Sequence, residues 1–471
     1  MRTDGARMRS AAAFCFSSSL VGLLALGAFG GCGTKTGNGT GFAMDPTGGG
    51  SSGGSSEAST EDGSSSGALG DDGGGGLGQF TLPDGEAPDR AAPAGNCKLP
   101  GLWCYQTSTC TTELTGTVFD PAGLVPLSNV VVYVPADPSK PLTPIKTGTN
   151  SCSACSTQIS NYMALAVTDV DGHFTMKGVP ATSAVPVVVQ IGKWRREITL
   201  SSVTACKAAG STYVNHVNDG VLRLPRSKKE GDIPQMAVAT GGADDLGCFL
   251  KEMGLDPSEY SAPNAGGRLD VYQGVGGPGL TTGTAGACTG ASPVCPLWAT
   301  KQALEYYDIV LLACEGGENG NTKPTASLQF MHDWLGEGGK VFATHFHYYW
   351  FKSSPQTDFQ NVATWKGTSV GAGVGNYVVD TSFVGGATFD KWLTAPGVAA
   401  ATGTQIALTG VADSVSAVST NANQWIYDGL PNFLGQVSND PKYLSFLTPI
   451  GGMTVTTPTG DAGTDGGSGS S

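Results

Sequence analysis

The segment over residues 33–95 is the feature that most limits how this chain folds. It is dominated by glycine, serine, aspartate and threonine and contains almost no aliphatic side chains. Such a composition cannot bury enough apolar surface to offset the entropy lost on ordering. The chain holds 71 glycines in 471 residues, about twice the usual share of glycine. One compact domain filling the whole chain is therefore excluded. We expect a disordered tether over 32–95 and a disordered tail over 452–471.

The amino terminus has the layout of an export signal. Arg2, Arg7 and Arg9 precede an apolar and small-residue stretch over 11–31, which is the charged and then hydrophobic order of a signal peptide. The strongly apolar core of this stretch is shorter than the roughly 20 residues that span a bilayer. Residues 1–31 are therefore predicted to be a signal peptide.

The sequence after the signal resembles a lipidation site. Phe29-Gly30-Gly31-Cys32 resembles a bacterial lipobox, and the chain resembles a bacterial lipoprotein of the myxobacterial type. The resemblance implies that Cys32 carries lipid and anchors the protein on a membrane. Because Gly33 follows, the same resemblance favours the outer membrane or cell surface. A tether of this length has a root-mean-square reach of about 40 Å.

The charge balance excludes one class of partner. The chain has 26 Lys and Arg against 39 Asp and Glu, for a net charge of −13. No segment is basic enough to neutralise a run of phosphates, so nucleic-acid binding is excluded. The one basic patch, at Arg223, Arg226, Lys228 and Lys229, is interpreted as a solvated linker between domains.

The cysteine count also indicates export. If Cys15 leaves with the signal and Cys32 carries lipid, ten cysteines remain, an even number. In an oxidising compartment they are disulfide candidates. They are Cys97, Cys104, Cys110, Cys152, Cys155, Cys206, Cys248, Cys288, Cys295 and Cys314.

The cysteine spacing leaves several pairings open. Cys288 with Cys295 would close a short glycine-rich loop, and Cys248 with Cys314 is a plausible pair within one domain. The CxxC spacing over 152–155 suits a disulfide, a metal site or a redox site. Because no second CxxC or suitable histidine lies nearby in the sequence, a disulfide is favoured.

Residues 96–230 are predicted to form a β-sandwich. Short runs rich in Val, Thr and Tyr are separated by Pro, Gly and Asp, a pattern typical of strands and turns. Strands are expected at 114–118, 130–134, 163–168, 173–176, 185–191 and 196–200. The dipeptide Asp171-Gly172 lies between two alternating runs and predicts a hairpin.

The same region resembles the carboxypeptidase regulatory-like domain, a transthyretin-like sandwich. The matching residues are Gly116-Thr117-Val118-Phe119-Asp120, Val130-Val131-Val132-Tyr133-Val134, Thr168-Asp169-Val170-Asp171-Gly172-His173-Phe174 and Val179-Pro180. The resemblance implies a non-catalytic module that is sometimes adhesive or carbohydrate-binding-like.

Two features of the predicted sandwich have a functional alternative. Asp169 and Asp171 could belong to a calcium loop, but no downstream ligands follow them, so a turn is favoured. Trp194 could stack on a sugar, although packing on the sandwich is favoured.

Residues 231–451 are predicted to form a doubly wound, flavodoxin-like α/β domain. Strands are expected at 235–239, 268–272, 308–313 and 340–344, with helices at 245–253, 297–307 and 324–335. The near-continuous apolar strands are typical of a parallel sheet covered on both faces. Residues 357–451 carry weaker signals and are interpreted as the second half of this domain.

Two predicted strand ends carry groups capable of chemistry. One strand runs into Cys314-Glu315-Gly316-Gly317, and the next into His345-Phe346-His347. Ligand sites in such folds lie beyond the carboxyl ends of the strands. The strands over 307–312 and 338–345 resemble the class I glutamine amidotransferase-like fold, especially its ThuA-like branch. In that family the nucleophilic cysteine follows the second strand, where this chain has Thr344 and His345.

The sequence leaves two chemical hypotheses open at these strand ends. Cys314 is a candidate nucleophile with His345 as its base and Glu315 beside it. Alternatively, His345 and His347 alternate along an extended segment and, with Glu315, form a candidate divalent-metal site. No cofactor is otherwise expected.

Three functions follow as hypotheses. The first is an exported, lipid-anchored envelope protein whose degenerate α/β domain binds a glycan or an envelope protein without turnover. The second is a hydrolase or metal-assisted enzyme acting on a carbohydrate or envelope polymer through Cys314, Glu315, His345 and His347. The third is a purely structural or adhesive surface component.

Overall fold

The computed structural model describes residues 101–106, 109–148, 159, 161–279, 286–290, 294–370, 374–431 and 435–450. Several predicted features lie outside the described residues: the signal peptide, the tether, the tail, Cys32, Cys97, Cys152 and Cys155. Within the described ranges, no helix is long and apolar enough to cross a membrane.

Seven strands form a β-sandwich at the amino-terminal end of the described chain. They are β1 (Thr111–Thr117), β2 (Val131–Pro135), β3 (Tyr162–Val167), β4 (His173–Lys177), β5 (Ser183–Ile191), β6 (Trp194–Ser202) and β7 (Thr212–His216). One sheet has the order β4-β1-β7 and the other the order β3-β2-β5-β6. The six predicted strands are confirmed, and β7 is additional.

Strand β2 shows how the sandwich core is built. Val132 and Val134 point into the core between the two sheets, whereas Val131 and Tyr133 pack in a second cluster with Leu142. Every residue of β2 is therefore buried. This accounts for its unbroken apolar sequence, because a strand covered on both faces has no solvent side.

The hairpin predicted at Asp171-Gly172 is wrong. Strand β3 pairs with β2 in one sheet, whereas β4 pairs with β1 in the other. The turn therefore carries the chain between sheets. Asp169 Oδ1 accepts hydrogen bonds from the Asp171 and His173 amides at 3.0 and 2.9 Å, and Gly172 has φ +76°, a conformation that glycine adopts without steric cost.

Disulfides link cysteines in both folded parts of the chain. Cys110 bonds to Cys206, and Cys288 bonds to Cys295; the latter is one of the pairings that the sequence left open. Cys104, Cys248 and Cys314 are also disulfide-bonded. Disulfides of this kind form and persist in oxidising compartments.

Removing the Cys110–Cys206 bond is expected to destabilise the sandwich. The two cysteines are separated by 96 residues, and the bond restricts the unfolded chain over that whole length. The double variant Cys110→Ser, Cys206→Ser should lose about 2–4 kcal/mol of unfolding free energy. Urea titrations of the oxidised wild type and the variant would measure this, and superimposable curves would contradict the expectation.

A five-stranded parallel sheet follows the sandwich. Its strands are β8 (Met236–Thr240), β9 (Tyr260–Ser261), β10 (Leu269–Gln273), β11 (Ile309–Leu312) and β12 (Lys340–Ala343), in the order β12-β11-β8-β10-β9. All four pairings are parallel. The four strands predicted for this region are confirmed.

Helices alternate with these strands. They are α1 (Leu246–Glu252), α2 (Lys301–Glu305), α3 (Thr325–Gly336), α4 (Tyr349–Lys352) and α5 (Thr357–Gln360). Helix α2 is shorter than the 297–307 expected, because Thr300 caps it by accepting a hydrogen bond from the Ala303 amide. The preceding Leu297 and Trp298 are instead buried in the core.

The two faces of the parallel sheet belong to different cores. In β8, Ala237 and Ala239 pack in the larger core, while Met236 and Val238 pack in the smaller one with Leu250 of α1. Alternate residues are thus buried on opposite faces, which explains the continuous apolar runs recognised in the sequence.

Asp308 joins the sandwich to the parallel sheet. Its carboxylate, at the start of β11, accepts hydrogen bonds from the Gly148 and Gln235 amides at 3.2 and 2.8 Å and from the Lys193 ammonium. The side chains of Asp308 and Lys193 are only 4% and 13% exposed. Trp194 packs against the sandwich core and the smaller sheet core, so the packing interpretation of this tryptophan is confirmed.

The basic cluster between the two domains is partly tied down. The Arg223 guanidinium pairs with Glu230 at 2.8 Å and lowers the pKa of that carboxyl to about 2. Arg226 Nε donates to Gly254 O at 3.2 Å. The linker is therefore anchored by specific contacts beyond simple solvation.

The region after the parallel sheet is mainly antiparallel. It contains β13 (Ala363–Val370), β14 (Val374–Val379), α6 (Val384–Thr394), β15 (Ala401–Thr402), β16 (Gln405–Thr409), β17 (Ala412–Val418), β18 (Ala422–Tyr427) and β19 (Pro441–Phe446). Strands β13 and β17 pair, and a second sheet has the order β15-β16-β14-β18-β19.

These antiparallel pairings do not continue the α/β alternation expected for 357–451. Every pairing in these two sheets is antiparallel, and the two-residue connection between β15 and β16 is too short for the crossover of a dozen or more residues that parallel neighbours require. The sequence patterns predict strands at 377–379, 405–408 and 443–447 and a helix at 387–393, and β14, β16, β19 and α6 are observed at these positions.

Candidate functional site

The carboxyl ends of β8, β11 and β12 lie side by side at one edge of the parallel sheet. The segments that leave these strands are 241–245, 313–318 and 344–348. The chain moves from β8 outward to β10 and then returns to β11 on the other side. The crevice of such a sheet lies where the connections diverge in this way, between β8 and β11. The predicted site residues all lie at this edge.

Cys314 is disulfide-bonded and fully buried. Its Sγ accepts a hydrogen bond from the Gly316 amide at 3.5 Å and lies 3.6 Å from His345 Nδ1. The structure thus places the predicted nucleophile next to the predicted base. A disulfide sulfur, however, is not a thiolate, and only the thiolate is nucleophilic. In this oxidised state Cys314 has no nucleophilic function.

His345 has an unusual backbone conformation directly after β12. Its φ is +39°, in the left-handed region that non-glycine residues seldom adopt. Its ring lies against Phe346, with 3.9 Å between ring centroids. Burial lowers the pKa of His345 to about 4, so the imidazole is neutral at physiological pH.

The His347 side chain is buried in the core, and both of its ring nitrogens are hydrogen-bonded. It is 1% exposed; its Nε2 donates to Ala313 O at 2.9 Å, and its Nδ1 accepts from Trp350 Nε1 at 3.2 Å. Both ring nitrogens are therefore used in structural hydrogen bonds. Neither offers a lone pair to a metal ion.

The prediction that His345 and His347 alternate along an extended segment is wrong. Residues His345–Tyr348 form a turn of 3-10 helix instead of an extended segment. Side chains two positions apart in such a turn do not share a face, since three residues complete one turn. His345 therefore contacts the Cys314 sulfur, while His347 turns into the core.

Because the pKa of His347 is lowered in the folded protein, we expect the protein to lose stability in acid. Burial, aided by the nearby Lys323 charge, lowers its pKa to about 3, whereas the unfolded chain titrates near 6.5. The unfolded state thus binds more protons below pH 6.5, and the stabilisation present above that pH is lost as the pH falls. The slope should approach about 1.4 kcal/mol per pH unit between pH 6 and 4.5.

Urea unfolding of the wild type and His347→Gln at several pH values would test this. The variant should show a flatter dependence between pH 6.5 and 4.5. Its stability at pH 8 provides the control, because there it reports only the altered packing and hydrogen bonds. Equal slopes for the two proteins would contradict the assignment.

Glu315 belongs to a buried ion pair. Its Oε2 lies 2.7 Å from Lys323 Nζ, and both side chains are 1% exposed. Asn319 Nδ2 donates to the same oxygen at 3.3 Å, and the Val275 amide donates to Oε1 at 3.2 Å. Lys323 also donates to Glu318 O at 3.1 Å. The carboxylate is thus fully engaged, and sequence reasoning did not identify Lys323.

Asp244 is a second residue that sequence reasoning missed. It follows β8, and its Oδ2 accepts a hydrogen bond from the Thr344 hydroxyl. Burial raises the pKa of this carboxyl, and the hydrogen bond from Thr344 opposes the rise. The Asp244-Asp245 dipeptide suggests only a helix cap, a role that Asp245 fills. The one sequence feature that could have identified Asp244 as a site residue is its position just after the end of a predicted strand.

The predicted ligands Glu315, His345 and His347 do not form a metal cluster. In the described part of the chain, two other groups have atoms close enough to share an ion: Asp169, Asp171 and His173, and Asp413, Asp428 and Asp440. The first is the turn between the two sandwich sheets.

The three carboxylates of the second acidic group are paired with two lysines. Lys366 pairs with Asp413 at 2.9 Å and with Asp440 at 2.5 Å. Lys442, whose side chain is 5% exposed, pairs with Asp413 at 2.9 Å and Asp428 at 3.1 Å. The group therefore acts as an ion-pair network that joins the two antiparallel sheets.

Comparison with known proteins yields no family. No protein-family model and no curated protein matches the chain. Two solved structures that match are interface mutants of a type II cohesin–X-dockerin complex from Acetivibrio cellulolyticus. They are 16% and 15% identical, and the matches cover 30% and 34% of this chain and 86% and 88% of those chains. The TM-scores of 0.17 and 0.16 are too low to support a shared fold or partner.

Proposed function

We propose that this is an exported, lipid-anchored cell-envelope protein that binds a ligand or partner without catalytic turnover. One observation supports the proposal: three of the groups predicted to do chemistry at the sheet edge are held in structural bonds. Cys314 is in a disulfide, Glu315 is paired with Lys323, and both nitrogens of His347 are hydrogen-bonded. In this proposal the sandwich is a non-catalytic module that presents the domain behind it.

The proposal includes a degenerate amidotransferase-like domain over the parallel sheet. Apart from the two-residue strand β9, the order β12-β11-β8-β10 corresponds to the first four strands of a flavodoxin-like sheet. His345, with φ +39°, occupies the position after β12 where the resembling family has its nucleophile. Strained backbone of this kind marks functional positions, which supports descent from an enzyme that has lost its nucleophile.

The ligand class we propose is an envelope glycan or an envelope protein. The two families that the chain resembles, the carboxypeptidase regulatory-like domain and the ThuA-like branch, both include carbohydrate-related members. Neither a glycan nor an envelope protein requires a basic surface on its partner. Glycan arrays probed with the mature chain and with its Asp244→Asn variant would test whether the protein binds a glycan. Binding that the substitution abolishes would place the ligand at the sheet edge, whereas no glycan binding would leave an envelope protein as the partner.

A hydrolase or metal-assisted enzyme is the second candidate, favoured by the short distance between Cys314 and His345. Elemental analysis of the natively purified chain tests the metal-assisted form of this candidate. The binding proposal predicts no stoichiometric transition metal or zinc. A stoichiometric metal that is lost in both His345→Ala and His347→Ala would favour the enzyme.

Lipidation is tested through Cys32. The variant Cys32→Ala should move the protein from the membrane fraction to the soluble fraction, because the acyl chains that hold it there can no longer attach. Cys15→Ala, in the predicted signal peptide, is the matched control and should remain with membranes. Membrane retention of Cys32→Ala would contradict the anchor.

A further inference from the structure

We propose that the sandwich loop over 120–127 is a brace that sets the width of the crevice at the carboxyl edge of the parallel sheet. The loop connects β1 to β2 and contacts both of the regions that follow the sandwich, one at Met253 and the other at Trp392. Each of these regions supplies one border of the crevice. The inference goes beyond the proposed function, because it concerns how the crevice is held and does not depend on what the crevice binds.

The loop is fixed by its own hydrogen bonds. The Asp120 carboxylate accepts from the Leu124 and Val125 amides at 2.8 and 3.1 Å, and the Asp120 amide donates to Val125 O at 2.9 Å. Gly123 lies within this turn with φ +79°, a conformation that glycine adopts without steric cost. The contacts that the loop makes at its two ends are therefore held at a fixed separation.

One contact fastens the loop to the end of α1. The Ala122 amide donates to Met253 O at 2.9 Å. A Cβ added to Gly254, whose φ is +92°, would lie 2.3 Å from Ala122 N, so the two backbones touch here. The chain enters α1 from Ala243 and Asp244 at the crevice. Because α1 has only seven residues, its contact with the loop lies within two helical turns of this border of the crevice.

A second contact fastens the loop to the antiparallel region. Trp392 Nε1 in α6 donates to Pro126 O at 3.0 Å. A Cβ added to Gly397, just after α6, would lie 2.8 Å from Pro126 Cγ. The Trp392 ring also packs against the core between α6 and its antiparallel sheet. The loop thus holds the antiparallel region by a hydrogen bond and by close packing.

The antiparallel region reaches the crevice through Trp365 of β13. The crevice floor is a small apolar cluster of Cys314, Phe346 and Tyr348. Trp365 packs against this floor from the antiparallel region, where its ring stacks on Tyr348 with 5.7 Å between ring centroids. Ala243 packs against the same floor from the segment before α1. One loop of the sandwich therefore contacts both units that cover the floor, and loosening either contact should expose it.

Hydroxyl-radical footprinting of the mature full-length chain tests the brace, because it reports the solvent access of individual side chains without a ligand. The variant Trp392→Phe keeps an aromatic ring but removes the indole N–H that reaches Pro126. Oxidation of Phe346 and Tyr348 should rise about threefold, the change in a local opening equilibrium expected from one lost hydrogen bond. Trp298, fully buried in the larger core of the sheet, is the internal reference and should stay protected.

Two outcomes in Trp392→Phe count against the proposal. Unchanged oxidation of the crevice floor would overturn it. An equal rise at Trp298 would show a general loosening of the chain and would overturn it as well.

The contact with α1 is tested by Gly254→Ala, which pushes the end of α1 away from the loop. Gly266→Ala is the matched control, because Gly266 has a similar φ of +93° but no described atom within 4 Å of its added Cβ. Both substitutions strain the backbone to a similar extent, and only Gly254→Ala should expose Phe346 and Tyr348. Equal oxidation of the floor in the two variants would contradict the brace.

Leu124→Ala controls for changes within the loop itself. The Leu124 side chain is 63% exposed and lies between the two contacts in the sequence, so the floor should stay as protected as in the wild type. A rise in oxidation as large as in Trp392→Phe would show that the loop does not act through its two contacts, and the proposal would fail.

Discussion

Lys323→Ala is expected to lower the unfolding free energy by about 3–5 kcal/mol. The substitution leaves the Glu315 carboxylate buried without the ammonium that lies 2.7 Å away. The remaining donors to Glu315, from Asn319 and Val275, are neutral and cannot balance a buried charge. Chemical denaturation monitored by tryptophan fluorescence would measure the loss.

The paired variant Glu315→Gln, Lys323→Met supplies the matched test. It removes both charges, so it should recover most of the stability lost in Lys323→Ala. Lys301→Ala, which breaks exposed pairs with Glu305 and Glu337, should leave stability nearly unchanged. If Lys323→Ala behaves like Lys301→Ala, the ion pair at the sheet edge is not structural.

Asp308→Ala is expected to have an effect of similar size, about 3–5 kcal/mol. It strands the Lys193 ammonium and the Gly148 and Gln235 amides, which all donate to this carboxylate. Since these donors come from both the sandwich and the parallel sheet, the loss should also separate the two domains. Limited proteolysis should then cut the linker over 225–232 faster than in the wild type.

Lys193→Met in the Asp308→Ala background completes a double-mutant cycle. The pair should show a coupling energy of about 1–3 kcal/mol, because the lysine charge is stranded only when the aspartate is missing. Additive losses and unchanged proteolysis would show that Asp308 does not join the domains.

The strands of the parallel sheet could be predicted because they are buried on both faces and are therefore apolar at nearly every position. In β8 and β11, neighbouring residues are buried in different cores, and an unbroken apolar run is the result. Turn residues were less informative. Asp171-Gly172 specified a tight turn but not which sheet the next strand would join, because that depends on packing between strands that are distant in sequence.

The site could be located but not interpreted from the sequence. Cys314 and His345 follow neighbouring strands and do meet. The role of Glu315 depends on Lys323, which no motif connects with it. The two histidines were misjudged because the strand ends at Ala343 and a 3-10 turn follows. A shift from extended chain to a helical turn reverses which side chains share a face.

The reactivity of Cys314 in the native, unreduced chain tests the central claim most directly. If the groups at the sheet edge are structural, iodoacetamide should not label Cys314 until the protein has been reduced. Stoichiometric labelling of Cys314 in the native, unreduced protein, prevented by His345→Ala, would contradict the claim and favour a thiol enzyme.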